Sequence, residues 1–272
     1  MAVAAERPVF AETHGNGPPL VFIHGAWVSR QMWAPQVEAF ADNHRVITLD
    51  IRGHGRTGRP AGHDLTVDLF TADLRTLLTS LDVEDPVICG LSLGGLIAKQ
   101  YALNHPDEVR GLFLADTVRS IPPVPFPQTS FGKALCFPKA TLYSMVRTMG
   151  AGAVYKLLLG GIEASSGKPW IVHDRVREYV MGEVSRFSPS DFVRVFDSLY
   201  DYEPRHTRGI DVPTRIAIGD HEMPPIVAQN KSLARRIDGS TLSVIPDAGH
   251  VSNLDNPVAF NRTLDSFLTE AC

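Results

Sequence analysis

Six short apolar segments recur along the chain and are rich in β-branched residues. They occupy residues 19–24, 44–50, 86–91, 109–116, 213–219 and 241–246. Because these segments are apolar at successive positions, and not only at alternate ones, they are typical of strands in a parallel sheet that helices cover on both faces. The pattern therefore predicts six strands of such a sheet.

Segments with helical periodicity lie between these strands. In residues 64–83, apolar side chains recur at i, i+3 or i+4, and i+7, which is the spacing of an amphipathic helix. Residues 256–271 begin with Asn256 and Pro257, two residue types that favour the start of a helix. The alternation of strands and helices predicts an α/β fold with a mostly parallel central sheet and helices on both faces.

The alternation is interrupted between Arg119 and Arg208, where no segment has the pattern of a strand. This region begins with the proline-rich stretch SIPPVPFPQTSFGK and continues with helix-like segments such as KATLYSMVRTM and PSDFVRVFDSLY. A helical region of this size after a parallel strand indicates a lid over one edge of the sheet. We therefore predict that residues 1–118 and 209–272 form the core domain, and that residues 119–208 form an inserted helical lid, or cap.

The composition argues against two classes of function. The 272 residues carry a formal net charge of −4 at pH 7 and contain no long basic block, so the electrostatic footprint of a nucleic-acid-binding protein is missing. The three cysteines lie in no CxxC motif or His/Cys cluster, so we expect neither a disulfide framework nor a metal site.

Neither a secretion signal nor a membrane-spanning segment is recognisable in the sequence. The segment MAVAAERPVF lacks a basic region followed by a long apolar run. No segment approaches the roughly 18 uninterrupted apolar residues that a membrane span requires. These features predict a soluble, cytoplasmic protein with no membrane partner.

A serine flanked by glycines lies at the predicted junction of a strand and a helix. Gly90, Ser92 and Gly94 match the pattern G-x-S-x-G. In such a corner the serine has a positive φ, and its neighbours must be small because larger side chains would collide across the turn. The corner lifts the serine hydroxyl above the carboxyl edge of the sheet, so Ser92 is the candidate nucleophile.

A serine hydroxyl needs a general base to act as a nucleophile at neutral pH, and the base needs an orienting carboxylate. The candidate base is His250, which follows a predicted strand and precedes the last predicted helix. Three carboxylates are candidates for the acid: Asp220 and Glu222 follow one predicted strand, and Asp116 ends another. The neighbouring Asp220, His221 and Glu222 do not indicate a metal site, because adjacent side chains on a loop rarely converge on one ion.

Two backbone N–H groups are candidates for an oxyanion hole. The N–H of Leu93 follows the nucleophile directly, and the second is expected at Ala26, in the loop after the first predicted strand. The helix that begins after the serine directs its first N–H groups at the same place. These groups would stabilise the negative oxygen of a tetrahedral intermediate.

These residues and several longer segments resemble the α/β-hydrolase fold superfamily, within its lidded esterase, enol-lactonase and C–C hydrolase group. The resemblance spans nearly the whole chain outside the predicted lid and implies an α/β-hydrolase fold with a helical lid insertion. The similar segments occur in the family's order and are FIHGAW, VITLDIRGHGRTGRP, GLSLGG, YALNHPDEVRGLFLAD, VPTRIAIGDHE and IPDAGHVSNLDNPVAFN.

The resemblance also implies residue roles, with Ser92 as nucleophile and His250 as base. In the family the acid usually lies three residues after a strand-ending glycine, and this position is Glu222, where most relatives carry aspartate. A serine nucleophile sets aside the haloalkane dehalogenases and epoxide hydrolases of this fold, which use aspartate. The absence of a lysine near His250 sets aside the hydroxynitrile lyases.

The predicted function is hydrolysis of a small-molecule carboxylic ester or lactone through a Ser-His-Glu triad and an acyl-enzyme, with no cofactor. Two alternatives use the same residues: C–C bond hydrolysis of a diketone-type substrate, and a hydrolase-like receptor that binds a small ligand under its lid. The residues expected to line an apolar substrate pocket are Trp27, Phe126, Phe131 and Tyr143. Four lid cations are candidates for binding a substrate carboxylate, although solvent exposure is commoner for such side chains: Arg147, Lys156, Arg175 and Arg177.

Overall fold

One seven-stranded sheet forms the centre of the computed structural model, which describes residues 9–58, 64–120, 138–203 and 206–271. The strands are β1 (Ala11–His14), β2 (Pro19–Ile23), β3 (Arg45–Leu49), β4 (Val87–Leu91), β5 (Gly111–Ala115), β6 (Thr214–Gly219) and β7 (Thr241–Ile245). Their order in the sheet is β1-β3-β2-β4-β5-β6-β7. Strand β1 pairs with β3 in antiparallel orientation, and all other neighbours are parallel.

The six predicted strands are confirmed as β2 to β7, with differences at the two edges of the sheet. Strand β1 was not predicted, because its residues, AETH, are mostly polar and only partly buried. The predicted burial of β7 on both faces was wrong: β7 is an edge strand in which Val244 is 56% exposed and only Ile245 is fully buried. The apolar sequence of an edge strand therefore does not show that its side chains are buried.

Helices cover both faces of the sheet, as predicted. On one face Phe113 packs against Phe260 of the last helix, and on the other Ile88 and Leu112 lie in one hydrophobic cluster with side chains of the helices that follow β3 and β4. The helices of the core are α1 (Ala34–Phe40), α2 (Val67–Ser80), α3 (Leu93–Asn104), α8 (Pro224–Ala234), α9 (Ser252–Asp255) and α10 (Pro257–Ala271). None of the helices in the described part of the chain combines the length and the apolar character needed to cross a bilayer.

The predicted helices at 64–83 and 256–271 are confirmed as α2 and α10, and their first residues have the expected capping chemistry. The Thr66 side chain accepts a hydrogen bond from the Leu69 N–H at 3.1 Å, which satisfies a free donor of the first turn of α2. The Asn256 side chain accepts one from the Ala259 N–H at the start of α10.

A helical insertion lies between β5 and β6. Its helices are α4 (Lys139–Met149), α5 (Ala151–Ser166), α6 (Asp174–Ser185) and α7 (Pro189–Tyr200). Within 119–120, 138–203 and 206–208, the described part of the predicted lid, the regular elements are all helices, as expected. Val146, Val184 and Phe192 of these helices are buried in the same hydrophobic cluster as the core face beneath them. The insertion therefore packs tightly on the core.

Candidate active site

Ser92 occupies a strained corner between β4 and α3. Its φ of 53° lies in the left-handed region, which residues with a side chain seldom adopt. A Cβ at Gly90 would lie 2.3 Å from the Gly94 carbonyl oxygen, and one at Gly94 would lie 2.1 Å from that of Ile23. The Ser92 N–H donates to the Ala115 carbonyl at 2.9 Å. The corner thus requires glycine at both positions, as the sequence analysis expected.

The structure brings Ser92, His250 and Glu222 together from three separate segments of the chain. The His250 Nε2 lies 3.0 Å from the Ser92 Oγ, and the His250 Nδ1 lies 2.5 Å from a carboxylate oxygen, Oε2, of Glu222. A carboxylate can only accept, so Nδ1 carries the proton and Nε2 is free to accept from the serine hydroxyl. The arrangement can remove a proton from Ser92.

The electrostatic surroundings of His250 favour its protonated form. Burial alone would lower its pKa, but the charge and hydrogen bond of Glu222, with a smaller contribution from the charge of Asp116, raise the pKa above its usual value. Burial and the neighbouring charge of Glu222 raise the pKa of Asp116 to about 8. Glu222, which contacts the imidazole, is therefore the main cause of the raised pKa of His250.

The three candidate acids have distinct positions. Glu222 is the one that contacts the imidazole. Asp220 accepts a hydrogen bond from the Ala248 N–H at 3.1 Å and thereby supports the loop that leads to the histidine. Asp116 accepts from the Gly219 N–H at 2.8 Å and from the Ser252 hydroxyl. These two carboxylates therefore bind neighbouring loops, and Glu222 is the candidate acid that contacts His250.

Trp170 contacts both His250 and Glu222, and it was not predicted from the sequence. It lies in the loop between α5 and α6, and its indole stacks on the His250 ring with centroids 4.3 Å apart. Its Nε1–H donates to Glu222 at 2.6 Å. No motif or spacing marks Trp170 in the sequence, because its place depends on how the insertion docks on the core.

The two candidate oxyanion donors come from two separate segments of the chain. Leu93 begins α3, where the first N–H groups of a helix have no intrahelical acceptor. Ala26 lines the same cavity as Ser92. A neutral histidine shapes the Ala26 loop: the His24 Nε2 accepts from the Ile51 N–H at 2.9 Å, and burial lowers the pKa of His24 to about 4. His24 is thus a structural hydrogen-bonding residue.

A cavity of about 270 Å³ opens at Ser92 and His250. No lysine, arginine, aspartate or glutamate is among the described residues that line it, and most of its wall is apolar. Its apolar and aromatic lining residues are Ala26, Trp27, Val28, Met32, Leu91, Val118, Tyr155, Leu158, Leu159, Ile162, Trp170, Val180, Phe196, Leu199, Met223, Ile226 and Val251.

The residues predicted to line the pocket differ in whether they contribute to this cavity. Trp27 lines the cavity and stacks on Phe192 with ring centroids 4.6 Å apart. The expectation for Tyr143 was wrong: it is not among the residues that line this cavity, and its hydroxyl donates a hydrogen bond to Asp197 on the neighbouring helix α7. Phe126 and Phe131 lie outside the described residues.

The lid cations do not contribute to the wall of this cavity. Arg177 forms an ion pair with Glu163 at 2.6 Å, and Arg147, Lys156 and Arg175 are absent from the described lining. In the part of the chain that the structure describes, no three His, Cys, Asp or Glu side chains are grouped as a metal site would need. The site therefore presents a serine, a histidine and an uncharged wall.

The chain is similar to known proteins over most of its length. A model described as "Alpha/beta hydrolase family" matches residues 20–263. The chain is 27% identical over 258 residues to 3-oxoadipate enol-lactonase 2 of Acinetobacter baylyi, covering 92% of this chain and 88% of the relative. A thermophilic esterase from Thermogutta terrifontis superposes with a TM-score of 0.82 at 25% identity, over 97% of this chain and 93% of that one. An N-acyl homoserine lactone degrading enzyme, Est816, superposes with a TM-score of 0.74 at 27% identity, over 95% and 96%.

Proposed function

Because the chain belongs to the alpha/beta hydrolase family, we propose that it is a serine hydrolase that cleaves a small, uncharged carboxylic ester or lactone. The observation that carries the proposal is the hydrogen-bonded series from Ser92 through His250 to Glu222 at the mouth of an apolar cavity. The relatives named as an enol-lactonase, an esterase and a lactone-degrading enzyme support the same reaction class.

In the first half of the reaction, the Ser92 Oγ attacks the substrate carbonyl while the His250 Nε2 takes its proton. The N–H groups of Ala26 and Leu93 stabilise the negative oxygen of the tetrahedral intermediate. Removing one such donor typically costs about 10²–10³ in rate. His250 then protonates the departing alkoxide, and an acyl-enzyme remains.

In the second half, water attacks the acyl-enzyme. His250 accepts a proton from the water and returns it to Ser92, so that one ester bond and one water molecule yield one acid and one alcohol. Glu222 keeps the hydrogen bond from the His250 Nδ1–H in both halves. It fixes the Nδ1–H tautomer and stabilises the imidazolium that forms in both halves.

The wall of the cavity supports an uncharged substrate. An ionised group that enters an apolar site without a partner loses several kcal/mol of hydration, and the described lining offers no cation to replace it. A neutral ester or lactone with an apolar substituent suits this wall better than a 3-oxoadipate-type lactone, which carries a free carboxylate. The volume of about 270 Å³ lies near the lower end of ligand pockets, which span about 300–1,000 Å³.

The helical insertion supplies much of the cavity wall, and we infer that residues 119–208 act as a lid on a core of residues 1–118 and 209–272. Tyr155 and Ile162 of α5 face the cavity, as do Phe196 and Leu199 of α7. Residues from the core contribute the serine, the histidine and the oxyanion loop. Substrate size would therefore be determined mainly by the insertion.

The test is hydrolysis of p-nitrophenyl esters from acetate to decanoate, together with neutral and carboxylated lactones. We expect turnover that peaks at one chain length, preference for neutral lactones, and loss of all turnover in Ser92→Ala. Ser266→Ala is the matched control, because its hydroxyl lies on the exposed side of α10. Undiminished turnover in Ser92→Ala would refute the proposal, and cleavage of diketones without cleavage of any ester would replace it with C–C hydrolysis.

A further inference from the structure

Trp170, a residue of the insertion, contacts both His250 and Glu222. Its indole Nε1–H donates to the Glu222 Oε1 at 2.6 Å, and its ring stacks on His250 with an interplanar angle of 23°. Its carbonyl oxygen accepts the His250 N–H at 2.8 Å. These three contacts place one side chain and its backbone against both the base and the acid.

The hydrogen bonds of Glu222 show what the indole does. Its Oε2 accepts from the His250 Nδ1–H, while its Oε1 accepts from two donors, the Met223 N–H at 2.7 Å and the Trp170 indole. Glutamate has one more rotatable bond than aspartate, so its carboxylate needs more restraint to point in one direction. Two donors on Oε1 keep Oε2 turned toward the imidazole.

The loop that carries Trp170 is docked firmly on the histidine loop. A Cβ at Gly249 would lie 2.1 Å from the Trp170 carbonyl oxygen, so the two backbones are in close contact. The buried Asp255 carboxylate accepts N–H groups from both loops, Val172 and His173 on one side and Gly249 on the other. The position of the indole therefore depends on docking of the insertion and not on a substrate.

We propose that Trp170 is the positioning residue through which the insertion holds Glu222 and His250 in their reactive geometry. This inference rests on the proposed function of the same site. It assigns the insertion a part in the proton transfer in addition to forming the cavity wall. Trp170 acts through Glu222 and His250 and takes no proton itself.

The first test replaces Trp170 with phenylalanine, which keeps a ring against His250 and removes the donor to Glu222. We expect kcat to fall about ten-fold, the effect of losing one hydrogen bond to a charged group, with KM changed less than about two-fold. Trp27→Phe is the matched control: its indole also lines the cavity and donates to the Phe192 carbonyl of the insertion. That variant should change mainly KM. A raised KM with unchanged kcat in Trp170→Phe would contradict the proposal and show that Trp170 only lines the cavity.

A double-mutant cycle tests whether Trp170 acts through Glu222. In a Glu222→Ala background, Trp170→Phe should lower kcat by less than about two-fold, because no carboxylate remains to be positioned. An equal ten-fold loss in both backgrounds would show a general structural role and overturn the proposal. Should Trp170→Phe fail to fold, Trp170→Met provides the same comparison with a flexible apolar side chain.

A measurement without substrate separates this inference from the proposed function. The proton between the His250 Nδ1 and the Glu222 Oε2 should give a far-downfield ¹H NMR signal, as short charge-assisted hydrogen bonds do. We expect the signal to shift and exchange faster with water in Trp170→Phe and to stay unchanged in Trp27→Phe. An unchanged signal in Trp170→Phe would overturn the proposal, whereas failure of the proposed function would appear as retained turnover in Ser92→Ala.

Discussion

The two halves of the candidate active site are built in different ways. The serine corner is formed almost entirely by residues 90–95 and by the backbones of the adjoining strands. The pair of His250 and Glu222 instead depends on two loops of the core and on Trp170 of the insertion. Ser92 is therefore held by local backbone geometry, whereas His250 and Glu222 are held by tertiary docking.

Removal of the charge of Glu222 should have the largest effect on turnover. It tests the half of the site that is formed by His250 and Glu222. In Glu222→Gln the group facing the histidine is no longer a carboxylate, so the correct tautomer and the imidazolium both lose their support. We expect kcat to fall by roughly 10⁴, as when the acid of a Ser-His-Asp triad is replaced by its amide. Steady-state kinetics with the best p-nitrophenyl ester measure this.

Asp220→Asn is the matched control for that change. The amide oxygen of asparagine can still accept the Ala248 N–H, so kcat should change by less than about ten-fold. If Asp220→Asn proved more damaging than Glu222→Gln, the loop after β6 would support the histidine in a different way from the one described above.

A methyl group at the serine corner should have the next largest effect, on stability. The Cβ introduced by Gly94→Ala would overlap the Ile23 carbonyl oxygen, a backbone atom that cannot move freely. We expect the free energy of unfolding to fall by about 3 kcal/mol or more, measured by urea denaturation.

Gly160→Ala is the matched control for the corner, because this glycine lies in α5 with open space around the added Cβ. Here alanine should stabilise the protein by about 0.5–1 kcal/mol through its higher helix propensity. Equal effects of the two substitutions would contradict the claim that local packing fixes the nucleophile.

The pH dependence of kcat/KM should show a smaller effect, which again tests the half of the site formed by His250 and Glu222. Only neutral His250 can take the serine proton, so kcat/KM should rise with pH through the histidine pKa, with a midpoint above the ordinary value of 6.5. In Glu222→Gln the raising charge is gone while burial still lowers the pKa, so the midpoint should move to lower pH. A wild-type midpoint below 6.5, or one unmoved by Glu222→Gln, would contradict the assigned electrostatics.

The same contrast explains how much the sequence predicted. Apolar runs identified strands β2 to β7, and the glycines around Ser92 identified the corner, because both depend on neighbouring residues. Strand β1 was missed because its residues are polar, and the exposure of Val244 was missed because edge position is a property of the whole sheet.

The insertion was the least predictable region in detail. Its helical character follows from local periodicity, and the structure confirms it. Tyr143 was expected in the pocket and instead bonds Asp197, while Trp170 was not singled out and lies against His250. Both placements depend on how four helices pack on one another and on the core, which no local pattern specifies.

The most direct test of whether Ser92 is an activated nucleophile is labelling with a fluorophosphonate, followed by peptide mass spectrometry. The reagent forms a bond from phosphorus to an activated serine oxygen and releases fluoride. We expect one adduct on the peptide that contains Ser92, lost in Ser92→Ala and formed much more slowly in Glu222→Gln. Absence of an adduct in the folded wild-type protein, or an adduct on another serine, would contradict it.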